Sequence, residues 1–358
     1  MYKNIFINWF ENVFSGEAFR DDMVDTVEDS PYHREDNVWV HTEMVVDAYI
    51  RLSPATWSKK DLMGALMCAF HDVGKPASEE VKQRDNGTEY RRYNNHDTVS
   101  GNMFIDYYLQ NKDQQVFSDL NSTDIYNIWV MIAYHMPYKI KQKRLDNLSY
   151  HMNKFGLVSV FTRAVYADAK GRISDDEEKT LKSSSKWCER FNKMYVEHPV
   201  RNDSKTVIVL CGCSGIGKST LSEKLMKSYS NESIVYHSMD DLRLKWYSDD
   251  YRVAFEKASQ DSDFGNKVTS DFMHKLKVND IVLVDNTNLT YKRRNQYLNN
   301  NKNTVRIAYV LVASFDEVLN RQSKRTDKEI GYKSIERMYY SHRPVIYGEV
   351  DEVKLVGF

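Results

Sequence analysis

The stretch TVIVLCGCSGIGKST, residues 206–220, decides the fold of the second half of this chain. Its first six residues are a short β-branched run typical of a buried strand, and a helix-forming segment, KSTLSEKLMKSY, follows a glycine-rich turn. Residues 212–219 have the spacing G-x-x-x-x-G-K-[ST], in which glycines let successive backbone N–H groups and a helix N-terminus face a polyphosphate. This order of strand, loop and helix predicts a site for a nucleoside triphosphate.

The loop spacing assigns a role to individual residues. Lys218 is expected to reach the β- and γ-phosphates of ATP, and Ser219 is expected to hold Mg²⁺ through its hydroxyl group. The predicted nucleotide-binding residues of the loop are Gly212, Cys213, Ser214, Gly215, Ile216, Gly217, Lys218, Ser219 and Thr220.

The two halves of the chain differ in their hydrophobic patterns. After residue 201, the short apolar runs SIVYHS, DIVLVD and VRIAYVLV alternate with helical segments, which predicts βαβ units and a parallel sheet. Residues 1–200 instead have apolar residues at helical spacing in TEMVVDAYIRL, DLMGALMCAFHDVG, TVSGNMFIDYYLQ, DIYNIWVMIAYHM and LVSVFTRAVYADAKG. We therefore expect an all-α domain over residues 1–200 and an α/β P-loop domain over residues 201–358.

Composition restricts the protein class further. The 358 residues are 41% hydrophobic and have a net charge of −1, so a disordered chain or a polycation is excluded. The formal charge is −5 over residues 1–200 and +4 over residues 201–358, so the second half is the better place for an anionic partner. Without a long apolar run, a signal-peptide pattern or a CxxC pair, the sequence predicts a cytoplasmic protein with no membrane partner, in the host cytoplasm if the chain is viral.

Charged residues after the later strands are candidates for binding the phosphate acceptor. Asp240, after SIVYHS, could accept a proton from an incoming hydroxyl, and Arg243 on the same helical face could hold an anionic group of the acceptor. A capping aspartate and a surface arginine are the alternative. Asp285, after DIVLVD, could hold the water shell of magnesium or could cap the next helix. Arginines in the RQSKR segment could close over the triphosphate, although such clusters are often only solvated.

These segments resemble the kinase module of bacteriophage polynucleotide 5′-kinases. GCSGIGKST, MDDLR, VDNTNLTYKRR and NRQSKRTDKEIGYKSIERMY occur in that family's order over about residues 204–345. The resemblance implies the following roles: Lys218 and Ser219 for ATP and metal, Asp240 as general base, Arg243 as ligand of the acceptor phosphate, and Arg321 and Arg325 in a catalytic lid. The phage enzymes usually add a phosphatase with a DxDxT motif, which this sequence lacks, so removal of an end phosphate would need another chemistry.

Histidines and aspartates recur along the helical half. They are His41, His71, Asp72, His96, His135 and Asp168. The adjacent His71 and Asp72 lie in an apolar segment, LMCAFHDVG, where burial is costly unless they are paired or bound to metal. Inward-facing histidines and carboxylates from separate helices are how helical bundles build metal sites. A single histidine of this kind is more often a satisfied core residue.

This pattern resembles the HD-domain phosphohydrolases, whose motif is His…His-Asp…Asp. AFHDVGKP is close to that family's central segment, and YNNHDTVSG is similar to its next histidine segment, within residues 35–175. The resemblance implies one or two divalent transition-metal ions such as Mn²⁺, with these ligands: His41, His71, Asp72 and Asp168, and His96 and His135 for a second ion. Lys75 would stand beside the scissile phosphate, or would be a helix-end lysine favoured by the helix dipole. Arg91, Arg92 and the segment 139–144 could bind substrate or only solvate loops.

Together the two modules resemble bifunctional RNA end-healing enzymes. Such enzymes phosphorylate 5′-OH ends with ATP and Mg²⁺ and remove 2′,3′-cyclic or 3′(2′)-phosphates, which prepares a break for ligation. RNA or DNA ends, with RNA favoured, are therefore the expected partners, and a separate RNA ligase is a candidate partner. Two alternatives remain: a small-molecule nucleotide or nucleoside kinase with an HD nucleotide phosphohydrolase, and a regulatory HD module. The sequence leaves open the number of metals and the oligomeric state.

Overall fold

The computed structural model describes residues 1–30, 33–198, 201, 205–229, 233–299, 304–326 and 328–358. The chain divides into two compact units, Met1–Glu197 and His198–Phe358. Within the described residues, no helix combines the length and the apolar character needed to cross a bilayer.

The first unit is mainly helical. Its helices are α1 (Tyr2–Asn12), α2 (Ala18–Asp25), α3 (Val38–Leu52), α4 (Lys59–Phe70), α5 (His96–Asn111), α6 (Ser122–Ala133), α7 (Gln142–Phe155), α8 (Val158–Lys170) and α9 (Glu177–Asn192). Helix α4 is the centre of the unit, because residues 61–70 are all buried and α3, α6 and α8 pack against it. A capping box of Ser58 and Asp61 begins this helix. Its other end delivers His71 and Asp72 into the core.

Two antiparallel hairpins interrupt the helices, so the all-α prediction is wrong in this respect. Strands β1 (Val27–Ser30) and β2 (His33–Asn37) form the first hairpin, and β3 (Glu79–Gln83) and β4 (Glu89–Tyr93) form the second. A strand is predicted from alternating apolar and polar residues. These strand sequences are rich in charged residues and do not alternate in this way, so the hairpins could not be predicted. The segment HDVG, predicted as helix, lies beyond the end of α4.

The second unit is an α/β domain with one parallel sheet. Its elements in chain order are β5 (Thr206–Cys211), α10 (Lys218–Ser228), β6 (Ile234–His237), α11 (Met239–Tyr247), α12 (Tyr251–Gln260), α13 (Phe264–Val278), β7 (Ile281–Val284), α14 (Tyr291–Leu298), β8 (Val305–Leu311), α15 (Phe315–Ser323), α16 (Tyr332–Tyr340) and β9 (Glu352–Val356). The strand order is β6-β7-β5-β8-β9, and all four pairings are parallel.

The parallel sheet that the sequence predicted is therefore confirmed, with one addition. Four of its strands coincide with the predicted apolar runs, whereas β9, with the mixed sequence EVKLV, was missed. Because β5 is central and buried, and the loop after it lies at the carboxyl edge of the sheet, the fold places the phosphate-binding loop where ligands of such sheets bind.

Candidate metal centre and nucleotide site

The six predicted metal ligands come from five parts of the first unit and lie together in its core. His41 is on α3, His71 and Asp72 follow α4, and His96 is the first residue of α5. Two further ligands, His135 just beyond α6 and Asp168 in the last turn of α8, complete the set. All six side chains are buried, so the fold concentrates ionisable groups where unpaired charge would be costly.

Asp72 lies between two pairs of histidines. Its Oδ2 atom is 3.1 Å from Nε2 of His71 and 3.5 Å from Nε2 of His41. Its Oδ1 atom is 3.2 Å from Nε2 of His96 and 3.6 Å from Nε2 of His135. Within each pair the two Nε2 atoms are 3.3 Å apart. A carboxylate that turns each oxygen toward a different pair of imidazoles could serve as a ligand in two donor sets, one with each pair.

Hydrogen bonds fix the inward-facing nitrogens of the second pair. Nδ1 of His96 is 2.7 Å from the carbonyl oxygen of Tyr93, and Nδ1 of His135 is 2.8 Å from that of Ile132. A carbonyl oxygen only accepts, so each Nδ1 donates, and in the neutral form of either ring an Nε2 lone pair is turned inward. Burial lowers the pKa of His135 to about 4, which keeps that ring neutral at pH 7. Oδ1 of Asp72 faces both lone pairs and has no hydrogen-bond donor among the described residues, and three buried acceptors of this kind fit a divalent cation.

The first pair is completed by Asp168. Its Oδ1 atom is 3.3 Å from Nε2 of His41, and its carboxylate also accepts hydrogen bonds of 2.6 and 2.7 Å from Arg172. Burial by itself opposes the charged imidazole, but hydrogen bonds to Asp168 and Glu35 raise the pKa of His41 to about 9. In the metal-free protein Nε2 of His41 therefore carries a proton at neutral pH, and a metal ion at His41, His71 and Asp72 would take the place of that proton.

Lys75 lies inside this centre and not at a solvent-exposed helix end. Its ammonium nitrogen is 2.8 Å from Oδ2 of Asp72 and 2.6 Å from Oε1 of Glu28. Burial opposes the positive charge, but the two carboxylates raise the pKa of Lys75 above its usual range. Burial also opposes the charge of Glu28, yet Lys75 and His33 lower its pKa to about 2. The result is a buried cation held beside a predicted metal ligand.

Sequence reasoning missed three residues around the centre. Glu35 is fully buried and its Oε1 is 3.2 Å from Nδ1 of His41, a position from which a carboxylate orients a metal-binding imidazole. Glu28 and Glu35 lie on the first hairpin, whose pattern gave no reason to place it in the core. Arg172, which holds Asp168, could have been found from its i+4 spacing at the end of a helix.

The nine predicted loop residues are continuous: Gly212–Gly217 form the turn after β5, and Lys218, Ser219 and Thr220 are the first residues of α10. Gly215 and Gly217 have φ values of 83° and 106°, which side chains other than glycine rarely adopt. The curl brings Lys218 back over the loop, where its ammonium group donates to the carbonyl oxygens of Gly212, at 3.0 Å, and Cys213, at 2.7 Å. Burial lowers the pKa of Lys218. The loop thus presents a cation and the N-terminus of α10 at one place, as a polyphosphate requires.

Both arginines that were predicted to belong to a lid contact this loop. Arg321 donates to the carbonyl oxygen of Ile216 at 2.8 Å, and Arg325 donates to the hydroxyl of Ser214 at 3.3 Å. The sequence predicted that both arginines follow a helix. Arg321 instead lies within α15, whereas Arg325 follows it as predicted. The two arginines are therefore joined to the loop by direct hydrogen bonds.

Asp240 lies in the first turn of α11 and does not cap the helix, because Ser238 is the N-cap. Its carboxylate is bound by Arg243 and by Lys328, and the hydroxyl of Tyr251 donates to it at 3.3 Å. Burial favours the protonated acid, but Lys328 and Arg243 lower the pKa of Asp240, so it is ionised at neutral pH as a general base must be. Lys328 was missed as a site residue although it lies in the quoted segment KRTDKE.

Asp285 follows β7 and is held by two hydroxyl groups. Ser222 of α10 donates to it at 2.9 Å, and Tyr236 of β6 donates at 2.8 Å. The N-cap of α14 is Thr290, so the alternative that Asp285 caps this helix is wrong. The contact with Ser222 ties its carboxylate to α10, three residues after Ser219 in that helix. A role of Asp285 in holding the water shell of magnesium stays a prediction.

Comparison with known proteins concerns the second unit. Residues 207–345 match the sequence profile of a family described as an AAA domain. No curated protein matches the chain. One solved structure that matches is a gluconokinase from Sinorhizobium meliloti 1021, at 18% identity and a TM-score of 0.32, over 44% of this chain and 86% of that chain. The profile match, the loop and the parallel sheet support a P-loop domain, a fold whose loop is suited to ATP and Mg²⁺.

Proposed function

We propose that this protein is a bifunctional RNA end-healing enzyme, with an HD-type phosphohydrolase in the first unit and a polynucleotide 5′-hydroxyl kinase in the second. The observation that carries the proposal is that one chain combines a buried cluster of histidines and aspartates in its first unit with a phosphate-binding loop in its second. The cluster would suit hydrolysis of a phosphoester, and the loop would suit phosphorylation of a hydroxyl. Breakage of RNA through its 2′-OH leaves a 2′,3′-cyclic phosphate and a 5′-OH. These two ends need the two reactions.

In the first unit, the support is the pair of donor sets that share Asp72. Divalent ions bound there would activate water and polarise the phosphoryl oxygens. The protein's own contribution is to orient the imidazoles through Nδ1 and to hold Asp168 with Arg172. Lys75 lies next to Asp72 and, as a charged ammonium group, can stabilise negative charge on a phosphoryl oxygen.

In the second unit, the support is the group formed by Asp240, Arg243 and Lys328. Asp240 would accept the proton of the attacking 5′-OH, while Arg243 would exchange its bond to Asp240 for a phosphate of the acceptor strand. An acceptor that carries a phosphate, as every internal nucleotide of a strand does, gives this arginine a partner that a plain nucleoside lacks. Lys218 and the arginines at the loop would neutralise the triphosphate.

The test uses a single-stranded RNA with a 5′-OH and a 2′,3′-cyclic phosphate, incubated with full-length protein, ATP, Mg²⁺ and Mn²⁺. We expect end-group analysis to show a 5′-phosphate and a 3′ end without the cyclic phosphate. The matched reactions replace the RNA by a nucleoside and by a nucleoside 2′,3′-cyclic phosphate. Transfer to the nucleoside but not to the RNA would support a small-molecule kinase, and bound metal without hydrolysis of any phosphoester would support a regulatory HD module.

A further inference from the structure

The second hairpin of the first unit is a two-sided ribbon whose faces differ in character. The register pairs Lys82 with Tyr90 and Glu80 with Arg92, so these four side chains share one face. The ladder continues toward the turn, because the N–H of Arg84 donates to the carbonyl oxygen of Thr88 at 2.8 Å. We call Lys82, Arg84, Tyr90 and Arg92 the basic face. Together with Glu80, its formal charge is +2.

The opposite face has a different composition. It contains Glu79, Val81, Gln83, Glu89, Arg91 and Tyr93. Arg91 is paired with Glu79 at 2.8 Å, and the formal charge of this face is −1. Acids and bases are nearly equal in number along the ribbon, but the register places three of its four cations, together with Tyr90, on one side and leaves Arg91 and Tyr93 on the other.

The basic face is organised around the ring of Tyr90. The guanidinium carbon of Arg92 is 5.1 Å from the ring centroid, and that of Arg84 is 5.3 Å from it. Along the ribbon, Arg92 is nearer than Tyr90 to the metal centre and Arg84 is nearer to the turn. One cation therefore precedes the ring and one follows it along the ribbon. Both arginines are exposed and Tyr90 is partly exposed. Aromatic rings and guanidinium planes with adjacent cations are the surface on which single-stranded nucleic acid stacks its bases and binds its phosphates.

One end of the ribbon, where β3 begins and β4 ends, adjoins the metal centre. Lys75 lies four residues before β3, and its ammonium group is 5.7 Å from the ring centroid of Tyr93, the last residue of β4. The carbonyl oxygen of Tyr93 accepts the hydrogen bond that orients His96. Tyr90 is three strand residues away, about 10 Å along the ribbon. Tyr90 and Tyr93 lie on opposite faces. A strand whose terminal phosphate lies at the metal centre therefore reaches Tyr90 with a nearby base by passing the edge of the two-stranded ribbon.

We infer that the basic face of the β3–β4 ribbon binds the single strand of RNA that leads to the phosphate end held at the metal centre, with a base stacked on Tyr90. This inference rests on the proposed phosphohydrolase function and adds the substrate class to it: the centre acts on polynucleotide ends in preference to mononucleotides. The opposite face provides the control, because Arg91 on that face has the same charge as Arg92 and lies in the same strand.

The experiment compares two substrates of the full-length, metal-loaded protein without ATP: a short single-stranded RNA ending in a 2′,3′-cyclic phosphate and a nucleoside 2′,3′-cyclic phosphate. The measured quantity is the ratio of kcat/KM for the RNA to kcat/KM for the mononucleotide. Tyr90→Ala and the double variant Arg84→Ala/Arg92→Ala should each lower this ratio by about tenfold or more, the size expected for one lost stacked base. In the double variant the salt dependence of KM for the RNA should also fall, by a slope of about 1.4.

Two control variants separate stacking from charge and folding. Tyr90→Phe keeps the ring and Arg91→Ala removes a cation from the other face, so both should keep the wild-type ratio. A loss in Arg91→Ala equal to that in the double variant, or an unchanged ratio in Tyr90→Ala and the double variant, would overturn the ribbon proposal alone. If the wild-type protein hydrolysed neither substrate, the phosphohydrolase proposal itself would be refuted, and the ribbon proposal with it.

Discussion

The metal centre and the phosphate-binding loop are built in opposite ways. The centre collects buried side chains from five distant parts of the chain, whereas the loop is nine consecutive residues shaped by their backbone conformation, with positive φ at Gly212, Gly215 and Gly217. In the centre each ligand is a side chain without a substitute, and Asp72 belongs to both donor sets. In the loop, residues such as Gly215 and Gly217 serve to permit the curl of the backbone. Substitutions should therefore have their largest effect where one side chain belongs to two sets of contacts.

The sharpest test of this comparison is Asp72→Ala. Because Asp72 faces both histidine pairs, we expect the variant to lose all bound transition metal and all measurable phosphohydrolase activity. His135→Ala removes a ligand of one set only and should lower the bound metal by about half if two ions bind. Elemental analysis of the purified variants measures both outcomes, with helix content from circular dichroism as the folding check.

Asp47→Ala is the matched control, because it removes an exposed carboxylate from α3 of the same unit. It should keep the wild-type metal content. An Asp72→Ala protein that folds and binds as much metal as the wild type would remove the bridging assignment.

The contrast between the sites also explains what the sequence could predict. A phosphate-binding loop is contiguous, so its spacing identifies nine residues and the strand and helix beside them. The metal ligands could be named only because a His-Asp doublet in an apolar run is unusual, and their mutual distances were not predictable. The contacts of Glu28 and Glu35 with the centre exist only because the first hairpin packs into the core. The contact of Lys328 with Asp240 exists only because the segment after α15 folds back toward that residue. Long-range placement of polar residues leaves no periodic pattern in a sequence.

In the second unit the largest effect should come from Asp240→Ala. Loss of a general base lowers phosphoryl transfer by about a hundredfold to ten-thousandfold. Binding of ATP should change little, because the hydrogen-bond partners of Asp240 are Arg243, Lys328 and Tyr251, and none of these residues belongs to the loop. Single-turnover transfer to a 5′-OH oligonucleotide and equilibrium binding of ATP measure the two effects separately. Asp241→Ala, at the next residue, is the control, and a comparable loss of transfer in this control would contradict a specific role for Asp240.

A smaller effect is expected from Glu35→Gln. This change keeps the shape of the side chain but removes the charge that faces Nδ1 of His41, so the imidazole becomes a weaker ligand. Metal affinity should fall about tenfold to a hundredfold, which is about 1.4–2.7 kcal/mol. Competition with a chelating indicator gives the dissociation constant directly. Glu43→Gln changes an exposed residue of α3, the helix that carries His41, and should leave the affinity as it is. An equal loss in both variants would show that Glu35 does not orient His41.

The smallest expected effect is that of each site on the other activity. The described residues of the metal centre lie between Glu28 and Arg172, and those of the nucleotide site lie between Gly212 and Lys328, so each set belongs to a single compact unit. Lys218→Ala should stop phosphorylation of a 5′-OH end and leave the rate of 2′,3′-cyclic phosphate hydrolysis within about twofold, less than 0.5 kcal/mol of barrier. Asp72→Ala should do the reverse. The measurement is both end-group assays on the same preparations of both variants. If either substitution lowered both activities by about a hundredfold, roughly 2.7 kcal/mol of barrier, the two sites would have to be coupled, and the contrast between a side-chain centre and a backbone loop would no longer describe two separate catalysts.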